Sequence, residues 1–345
     1  MCPNMPPSAS SRPLKPKASD IAVEVKKYYI PYINTKLPHW PAYSQLHRNP
    51  VEELHLKAPS QRNPPVFQVE TGDPVDIAFV IAEVETRRLG EEIRTPFLCA
   101  AHEHRPGGHW ETSASSYEER LCRRSNLAAA LSVPYQQGVL SNYPIPCEGG
   151  ILSRFVTVFR GPRDEDLQVW HNLPVISIPP TSRPKLDTSG RKYSFLEERN
   201  LIKTKMRAAL LIAVYNGFYS IVIGDFGLGS ARNPPHELAN LWREVFLFDP
   251  DIRGQFTRVA FIFEDTQQNT SKNILDDIAK KNKLSSHRDG SSSKGKANAS
   301  SHESHSSDHN SPSDISIFKE VFDKDEIHRV LEQPDSRYSL STIMA

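Results

Sequence analysis

Short apolar runs alternate with helical patterns through the middle of the chain. One helix opens at Asp73-Pro74, where Asp is a good N-cap and Pro suits the first helical turn. A second opens at a Ser194–Glu197 capping box and ends at Asn216-Gly217, and a third begins at Asn233-Pro234. The apolar runs are bounded by Pro and Gly and predict buried strands at about 66–69, 95–101, 155–160, 175–178, 221–224 and 258–263.

Strands that alternate with helices along a chain usually share one sheet that is covered by helices on both faces. The pattern therefore predicts an α/β fold, with a three-layer α/β/α domain around a central mixed sheet. Ligands of such sheets bind in crevices outside the carboxyl ends of the strands. Glycine-rich turns follow strands in this chain, which is where that rule places a binding site.

The composition changes at both ends of the predicted domain. Pro and Ser dominate the start, and Ser with His, Lys and Asp dominates from residue 284, so neither stretch buries enough apolar surface to fold alone. Helical periodicity returns over 315–332, and we expect that helix to dock on the domain or on a partner. The predicted organisation is a disordered leader at 1–18, a main domain at 19–268, a disordered Ser/His-rich linker at 269–314, and a short helix with a tail at 315–345.

Charge and cysteine usage narrow the functional class. The net charge of +1, with 42 Lys and Arg against 41 Asp and Glu, gives no general attraction to nucleic acid or to anionic membranes. The 4 cysteines form no C-x-x-C pair, which is typical of reduced thiols in the cytoplasm or nucleus. The start of the chain also lacks the apolar core of a signal peptide. We therefore expect a cytoplasmic or nuclear monomer without a nucleic-acid or membrane partner.

Two adjacent glutamates are the first candidates for chemistry. A tight Gly107-Gly108 turn precedes Glu118 and Glu119, which stand at the predicted start of a helix. Ser116 with Glu119 fits the S-x-x-E pattern of a capping box, so Glu119 has a purely structural interpretation. The alternative is catalytic, because paired carboxylates just beyond such a turn suit the cleavage of glycosidic bonds. A helix amino terminus lowers a carboxyl pKa, so an acid role needs burial or an anionic substrate to raise it.

Two glycine-rich loops are candidates for binding phosphate. The strand at 221–224 leads into Gly224-Asp225-Phe226-Gly227-Leu228-Gly229, and free N–H groups in such a loop can cradle a diphosphate. Phe226 is also a candidate stacking partner for adenine or ribose. A weaker candidate, Gly149-Gly150, comes just before another strand. An ordinary glycine turn is the alternative interpretation of both loops.

A cluster of histidines raises the question of a metal. His102 and His104 have the spacing of two zinc ligands, and His109 follows nearby. No convincing third ligand stands close by in the sequence, so we expect no metal site.

The residues from about 19 to 268 resemble the microbial-type poly(ADP-ribose) glycohydrolase family, and more closely its fungal branch. That family carries a run of glycines, a short spacer and then Gln-Glu-Glu; here Gly107-Gly108-His109 is followed by Tyr117-Glu118-Glu119. The segments 149–161 and 222–235 resemble two later family motifs in the same order. The resemblance implies a macrodomain-like fold and a hydrolase that cleaves ribose–ribose O-glycosidic bonds to release ADP-ribose.

The resemblance also implies a role for each matched residue. Glu119 matches the catalytic acid, and Glu118 matches the glutamate that orients the ribose hydroxyls. The partner would be ADP-ribose or an ADP-ribosylated protein, with no metal or cofactor. The implied ligand-binding residues are Gly107, Gly108, Gly149, Gly150, Gly224, Phe226, Gly227 and Gly229.

Two positions depart from the family pattern. His109 stands in place of the third glycine, where a positive φ would be costly, so we expect a changed loop path. Tyr117 stands in place of the Gln and cannot supply the donor–acceptor pair of an amide. The alternatives to the enzyme are therefore a non-catalytic reader of ADP-ribose, or an interaction protein with a drifted site that engages a partner through 315–332.

Overall fold

A computed structural model describes residues 17–57, 64–112, 116–288 and 311–332. Residues 1–16 of the predicted leader, 289–310 of the Ser-rich stretch and 333–345 of the tail lie outside the described residues. Within the described part, no helix has the length and apolarity needed to cross a membrane. The helices and strands in chain order are α1 (Ala18–Glu24), a π-helical turn (Val25–Tyr29), α2 (Ile30–Lys36), β1 (Gln45–His47), α3 (Pro50–Glu53), β2 (Val66–Thr71), α4 (Pro74–Leu89), β3 (Phe97–Ala100), α5 (Tyr117–Arg124), α6 (Leu127–Ser132), β4 (Gly150–Arg160), β5 (Asp166–Ile178), α7 (Leu196–Tyr215), β6 (Ser220–Ile223), a 3-10 turn (Gly229–Ala231), α8 (Pro235–Phe248), β7 (Arg258–Phe263), α9 (Thr270–Arg288), α10 (Asp314–Val321) and α11 (Lys324–Glu332).

The strands form one mixed sheet of 7 strands in the order β1-β4-β5-β3-β6-β7-β2. The pairs β1–β4 and β4–β5 are antiparallel, whereas β5, β3, β6, β7 and β2 run parallel to one another. The prediction of an α/β fold with a central mixed sheet is therefore confirmed. The carboxyl ends of β3, β6 and β7 meet at one edge of the sheet, where the loops that follow them come together.

A separate apolar core covers each face of the sheet. The first core packs α7, α8 and α10 onto the sheet, and Trp242 on α8 lies at its centre with no exposed surface. The second core packs α1, α4, α5 and α6 onto the opposite face, around residues such as Leu121 and Val222. Two helical layers on one sheet give the predicted three-layer arrangement.

Some predicted helix starts differ from the structure. Asp73 caps α4 as predicted, since its Oδ1 accepts hydrogen bonds from the N–H groups of Val75 (3.1 Å) and Asp76 (3.2 Å). The Ser194–Glu197 capping box is wrong, because α7 begins at Leu196 with Phe195 as its N-cap and has no side-chain cap. Asn233 is not the cap of α8 either, because its amide side chain hydrogen-bonds to the carbonyl oxygens of Thr181 and Gly227 instead.

The carboxyl-terminal part of the chain requires two corrections. A helix, α9, occupies Thr270–Arg288, where a disordered linker was predicted from residue 269. Its amino-terminal half carries apolar residues, including the buried Ile274, so it can pack on the domain. The single helix predicted over 315–332 is broken into α10 and α11. Docking on the domain is observed, because Ile317 and Phe318 are buried in the first core.

Candidate active site

The carboxyl ends of β3, β6 and β7 border a crevice of about 740 Å³. Its walls come from the start of α5, from the loops after these three strands, and from the segment 179–182 after β5. This is where an open α/β sheet binds its ligands. Of the residues predicted to be catalytic or ligand-binding, those that line the crevice are Gly108, Glu118, Glu119, Gly224, Phe226 and Gly227.

Glu119 is both the capping residue of α5 and a wall of the crevice. Its Oε2 accepts a hydrogen bond from the Ser116 N–H (3.2 Å), and Ser116 Oγ accepts one from the Glu119 N–H (3.2 Å). Its Oε1 accepts from the His109 N–H (3.2 Å). The side chain is 5% exposed. The capping box is therefore confirmed, and it fixes the carboxyl group of Glu119 in the crevice.

Glu118 is held from the end of β3. Its Oε2 accepts a hydrogen bond of 2.7 Å from the His102 N–H, while its Oε1 has no hydrogen-bond partner among the residues that the structure describes. Burial raises the pKa of this carboxyl from 4.5 to about 8, and the backbone N–H groups of His102 and Gly107 oppose the rise. Glu118 therefore retains a proton near neutral pH.

The glycines of the Gly107-Gly108 turn are both required by its geometry. Their φ angles are +71° and +59°, in the left-handed region that favours glycine. A Cβ on Gly107 would stand 2.6 Å from Cys122 Sγ on α5, and one on Gly108 would stand 3.6 Å from Glu119 Oε1. The turn thus packs directly on the helix that carries the glutamates. His109 is not among the described residues with positive φ, so the expected cost of a side chain at this position does not arise.

Tyr117 directs its hydroxyl away from the crevice, into an ion pair. It donates to Asp73 Oδ2 (2.9 Å), and Arg124 donates to both the Tyr117 oxygen (3.2 Å) and Asp73 Oδ2 (2.8 Å). The aromatic ring packs at 5.1 Å on Phe97 and lines the crevice. Tyr117 therefore joins α5 to the start of α4, a structural role that an amide at this position would not fill in the same way.

We expect Tyr117→Phe to lower the free energy of unfolding by about 1–3 kcal/mol, because it removes a hydrogen bond to a buried carboxylate and keeps the ring. Urea denaturation would measure the loss, with Tyr215→Phe as the control, since Tyr215 is 56% exposed. Equal stability of the two variants would show that the Arg124–Asp73 pair alone joins the helices.

The loop after β6 lines the crevice through most of its residues from Gly224 to Ala231. Gly224, Phe226 and Gly227 line it, and no described residue accepts a hydrogen bond from the N–H of Phe226 or Gly227. Gly229 does not line it, and its N–H donates to Thr270 Oγ1 (2.8 Å). The ring of Phe226 is 3% exposed and packs edge-on against Trp242, so this arrangement does not favour the predicted stacking role.

Gly149 and Gly150 are not brought to the crevice. A Cβ on Gly149 would stand 2.8 Å from the His47 carbonyl oxygen, and one on Gly150 would stand 2.2 Å from Ile178 Cδ1. Both glycines lie where β4 pairs with the short strand β1 and packs under α7. Close packing therefore accounts for both glycines, and neither of them lines the crevice.

The histidines meet at the crevice without forming a metal centre. The rings of His102 and His109 are 5.7 Å apart. Burial, and after it the nearby His109, His104 and Arg105, lower the pKa of His102. Among the described residues, no group of three His, Cys, Asp or Glu side chains is placed to hold a metal ion. A neutral His102 can accept a hydrogen bond, as its Nδ1 does from the His104 N–H (3.1 Å).

Several crevice residues were missed by the sequence analysis. Glu264, Asp265 and Gln268 follow β7 and line the wall opposite α5, and Arg120 on α5 forms a hydrogen-bonded ion pair with Glu264 across that edge. Their position just beyond the carboxyl end of a predicted strand was an available signal.

An α/β/α domain with buried paired glutamates beside a glycine-lined crevice has the features of a glycosidase. Residues 21–161 match the family model of the microbial-type PARG (poly(ADP-ribose) glycohydrolase) catalytic domain. The matched segment runs from within α1 to the end of β4. It includes Gly107, Glu118 and Glu119, and it ends before the loop that follows β6. No curated protein matches the chain.

Solved structures of bacterial enzymes share the fold. The poly(ADP-ribose) glycohydrolase of Thermomonospora curvata superposes with a TM-score of 0.56 at 19% identity, covering 76% of this chain and 98% of that one. The same enzyme bound to the inhibitor ADP-HPD gives 0.55 at 19% identity, with the same coverage. The Deinococcus radiodurans enzyme in complex with ADP-ribose gives 0.50 at 21% identity, covering 69% of this chain and 94% of that one.

Proposed function

We propose that the protein is a poly(ADP-ribose) glycohydrolase that cleaves ribose–ribose O-glycosidic bonds and releases ADP-ribose. The observation that carries this proposal is the pair of buried glutamates at the start of α5, packed under the Gly107-Gly108 turn within the segment that matches the catalytic-domain family. The alternatives remain a reader that binds ADP-ribose without cleaving it, and a drifted interaction protein.

Glu119 is the residue we assign as the general acid. Its Oε1 faces the crevice beside Gly108 and is held there by the His109 N–H. In the proposed reaction it protonates the ribose oxygen that leaves, while the bond from that oxygen to the anomeric carbon breaks. Water then adds to the anomeric carbon and returns a proton to the carboxylate. A bound diphosphate would favour the protonated form of Glu119, because it disfavours a second negative charge nearby.

Glu118 is assigned a positioning role toward the ribose. Its hydrogen bond to the His102 N–H fixes the carboxyl group at the end of β3, and its raised pKa gives it a proton to donate near neutral pH. A neutral carboxyl group can both donate to and accept from a pair of ribose hydroxyls. This explains how two adjacent glutamates could serve one sugar without carrying two negative charges.

The loop after β6 is assigned to the diphosphate. Phe226 and Gly227 line the crevice, and their N–H groups donate to no described residue; backbone N–H groups of this kind bind phosphate oxygens. Gly224 and Gly108 complete the assigned ligand contacts by letting backbone approach the substrate closely. The crevice walls also carry carboxylates, including Asp225 and Glu264, which repel phosphate. We therefore expect the diphosphate to be bound by backbone N–H groups and by Arg120.

The deciding experiment is hydrolysis of purified poly(ADP-ribose) and of mono-ADP-ribosylated protein by the full chain, with the products separated by chromatography. Free ADP-ribose from the polymer is the expected product. ADP-ribose binding by calorimetry, without release from either substrate, would instead identify a reader. If the chain neither binds nor releases ADP-ribose, the drifted interaction protein is the remaining alternative. A pull-down that compares the full chain with a chain lacking residues 311–345 would then test that alternative.

We further infer that the protein acts as a cytoplasmic or nuclear monomer on ADP-ribosylated proteins, without a nucleic-acid partner. The balanced net charge of +1 supports the last point. Membership of the fungal branch and the macrodomain-like description rest on sequence resemblance. Analytical ultracentrifugation and a nucleic-acid shift assay would test the state of assembly and the absence of that partner.

A further inference from the structure

The segment 311–332 lies behind the crevice although it is far from the glutamates in sequence. Asp314, the first residue of α10, is fully buried, and Thr270 at the start of α9 is buried with it. Asp314 Oδ1 accepts from the Thr270 N–H (2.9 Å), and Asp314 Oδ2 accepts from the Thr270 hydroxyl (2.6 Å) and from Gln268 Nε2 (2.9 Å). The carboxylate thus organises the chain that leaves β7.

The same hydroxyl reaches the loop assigned to the diphosphate. Thr270 Oγ1 accepts a hydrogen bond of 2.8 Å from the Gly229 N–H while it donates to Asp314. Gly229 has a φ of +56° and ends the glycine-rich half of the loop after β6. A continuous chain of hydrogen bonds therefore runs from α10 through Thr270 to the backbone of the loop that lines the crevice.

A second contact supports the same wall. Phe318 on α10 packs at 5.2 Å against Phe263, which ends β7 and lines the crevice. Asp314 and Phe318 are four residues apart, so they lie on one face of the helix. The N–H of Asp314 also donates to the Gln268 carbonyl oxygen (2.9 Å), and Gln268 itself lines the crevice.

We propose that Asp314 and Thr270 are positioning residues that fix the loop after β6 in its ligand-binding form, so that the carboxyl-terminal segment is a working part of the active site. This inference rests on the proposed function, since it assigns that segment to the diphosphate half of the same crevice. The matched family segment, residues 21–161, contains neither residue.

The chemistry explains why the carboxylate and the hydroxyl are needed together. A threonine hydroxyl has one proton to donate and can accept from another donor. The Thr270 hydroxyl uses its proton in the hydrogen bond to Asp314, so a lone pair of its oxygen is left to accept a hydrogen bond from the Gly229 N–H. Valine has nearly the same shape without the hydroxyl, so it would leave the Gly229 N–H without its partner; serine would keep the bond.

The test compares Thr270→Val with Thr270→Ser in the full chain, together with Glu326→Gln as a docking control. Glu326 pairs with Arg243 at 2.8 Å and so helps to hold the same carboxyl-terminal segment without touching the loop. We expect Thr270→Val to raise KM for poly(ADP-ribose) and Kd for ADP-ribose about 10-fold, with kcat little changed. The free energy of one buried hydrogen bond corresponds to about a 10-fold change in a binding constant. Thr270→Ser and Glu326→Gln should stay near wild type.

Hydrogen exchange of the peptide that covers residues 225–232 gives a readout that does not depend on activity. Faster exchange in Thr270→Val than in Thr270→Ser supports the proposal. Equal exchange and equal KM in the two variants would overturn it, and so would an equal loss in Glu326→Gln, which would indicate general docking. If the wild-type chain neither binds ADP-ribose nor cleaves the polymer, the proposed function fails, while the exchange experiment still decides whether Thr270 orders the loop.

Discussion

Glu119→Gln is expected to lower kcat for ADP-ribose release by about 10²–10⁴-fold, the range that general acid catalysis contributes. Glutamine keeps one oxygen that can accept from the His109 N–H, so the Gly107-Gly108 turn should keep its place over α5, while the bond from the Ser116 N–H is lost. The amide N–H groups are too weakly acidic to transfer a proton to the leaving oxygen. The Kd for ADP-ribose should therefore change only a few-fold. Initial-rate assays of ADP-ribose release would measure kcat, and calorimetry would measure Kd.

The matched control is Glu111→Gln. Glu111 lies on the same loop beyond His109, but its carboxylate forms a surface ion pair with Lys26 at 2.6 Å. The control should retain wild-type kcat. Full turnover by Glu119→Gln would remove Glu119 from the acid role and leave it as the capping residue of α5.

The fold was predictable to the extent that its strands are apolar and its turns are glycine-rich. β3, β6 and β7 are short apolar runs that follow Pro or Gly within a few residues, and the sequence predicted all of them. β1 was missed because Gln45-Leu46-His47 is only 3 residues long and lacks an apolar run. α9 was missed because its polar, Lys-rich sequence resembles the Ser-rich stretch beyond it, whereas packing at residues such as Ile274 favours the helix.

The site residues that the sequence predicted correctly are those that stand in a recognisable local sequence pattern. Glu118 and Glu119 follow a glycine turn and open a helix, and these local signals place both of them at the crevice. A glycine-rich loop did not by itself identify a ligand-binding loop. Gly149 and Gly150 are needed for close packing, and the Gly229 N–H bonds to Thr270. Asp314 could not be predicted at all, because its partners at 268–270 are more than forty residues away and only the folded chain brings them together.

Glu118→Gln is expected to change how stability depends on pH. The native state holds a proton on Glu118 up to about pH 8, whereas the unfolded chain releases it near pH 4.5. Between these values the native state binds more protons, so the free energy of unfolding falls by up to about 1.4 kcal/mol for each pH unit as the pH rises. Glutamine cannot ionise and resembles the protonated carboxyl, so the variant lacks this loss.

The stability of Glu118→Gln relative to wild type should therefore rise from pH 5 to pH 8 and level off above it, reaching several kcal/mol. Urea denaturation of both proteins at each pH measures this difference, and other titrating groups cancel because both proteins contain them. Glu85→Gln serves as the control, since Glu85 is also buried but is paired with Arg88 and Arg258. A flat difference for Glu118→Gln would mean that the carboxyl is ionised in the native state, and the ribose would then be oriented by a carboxylate that only accepts hydrogen bonds.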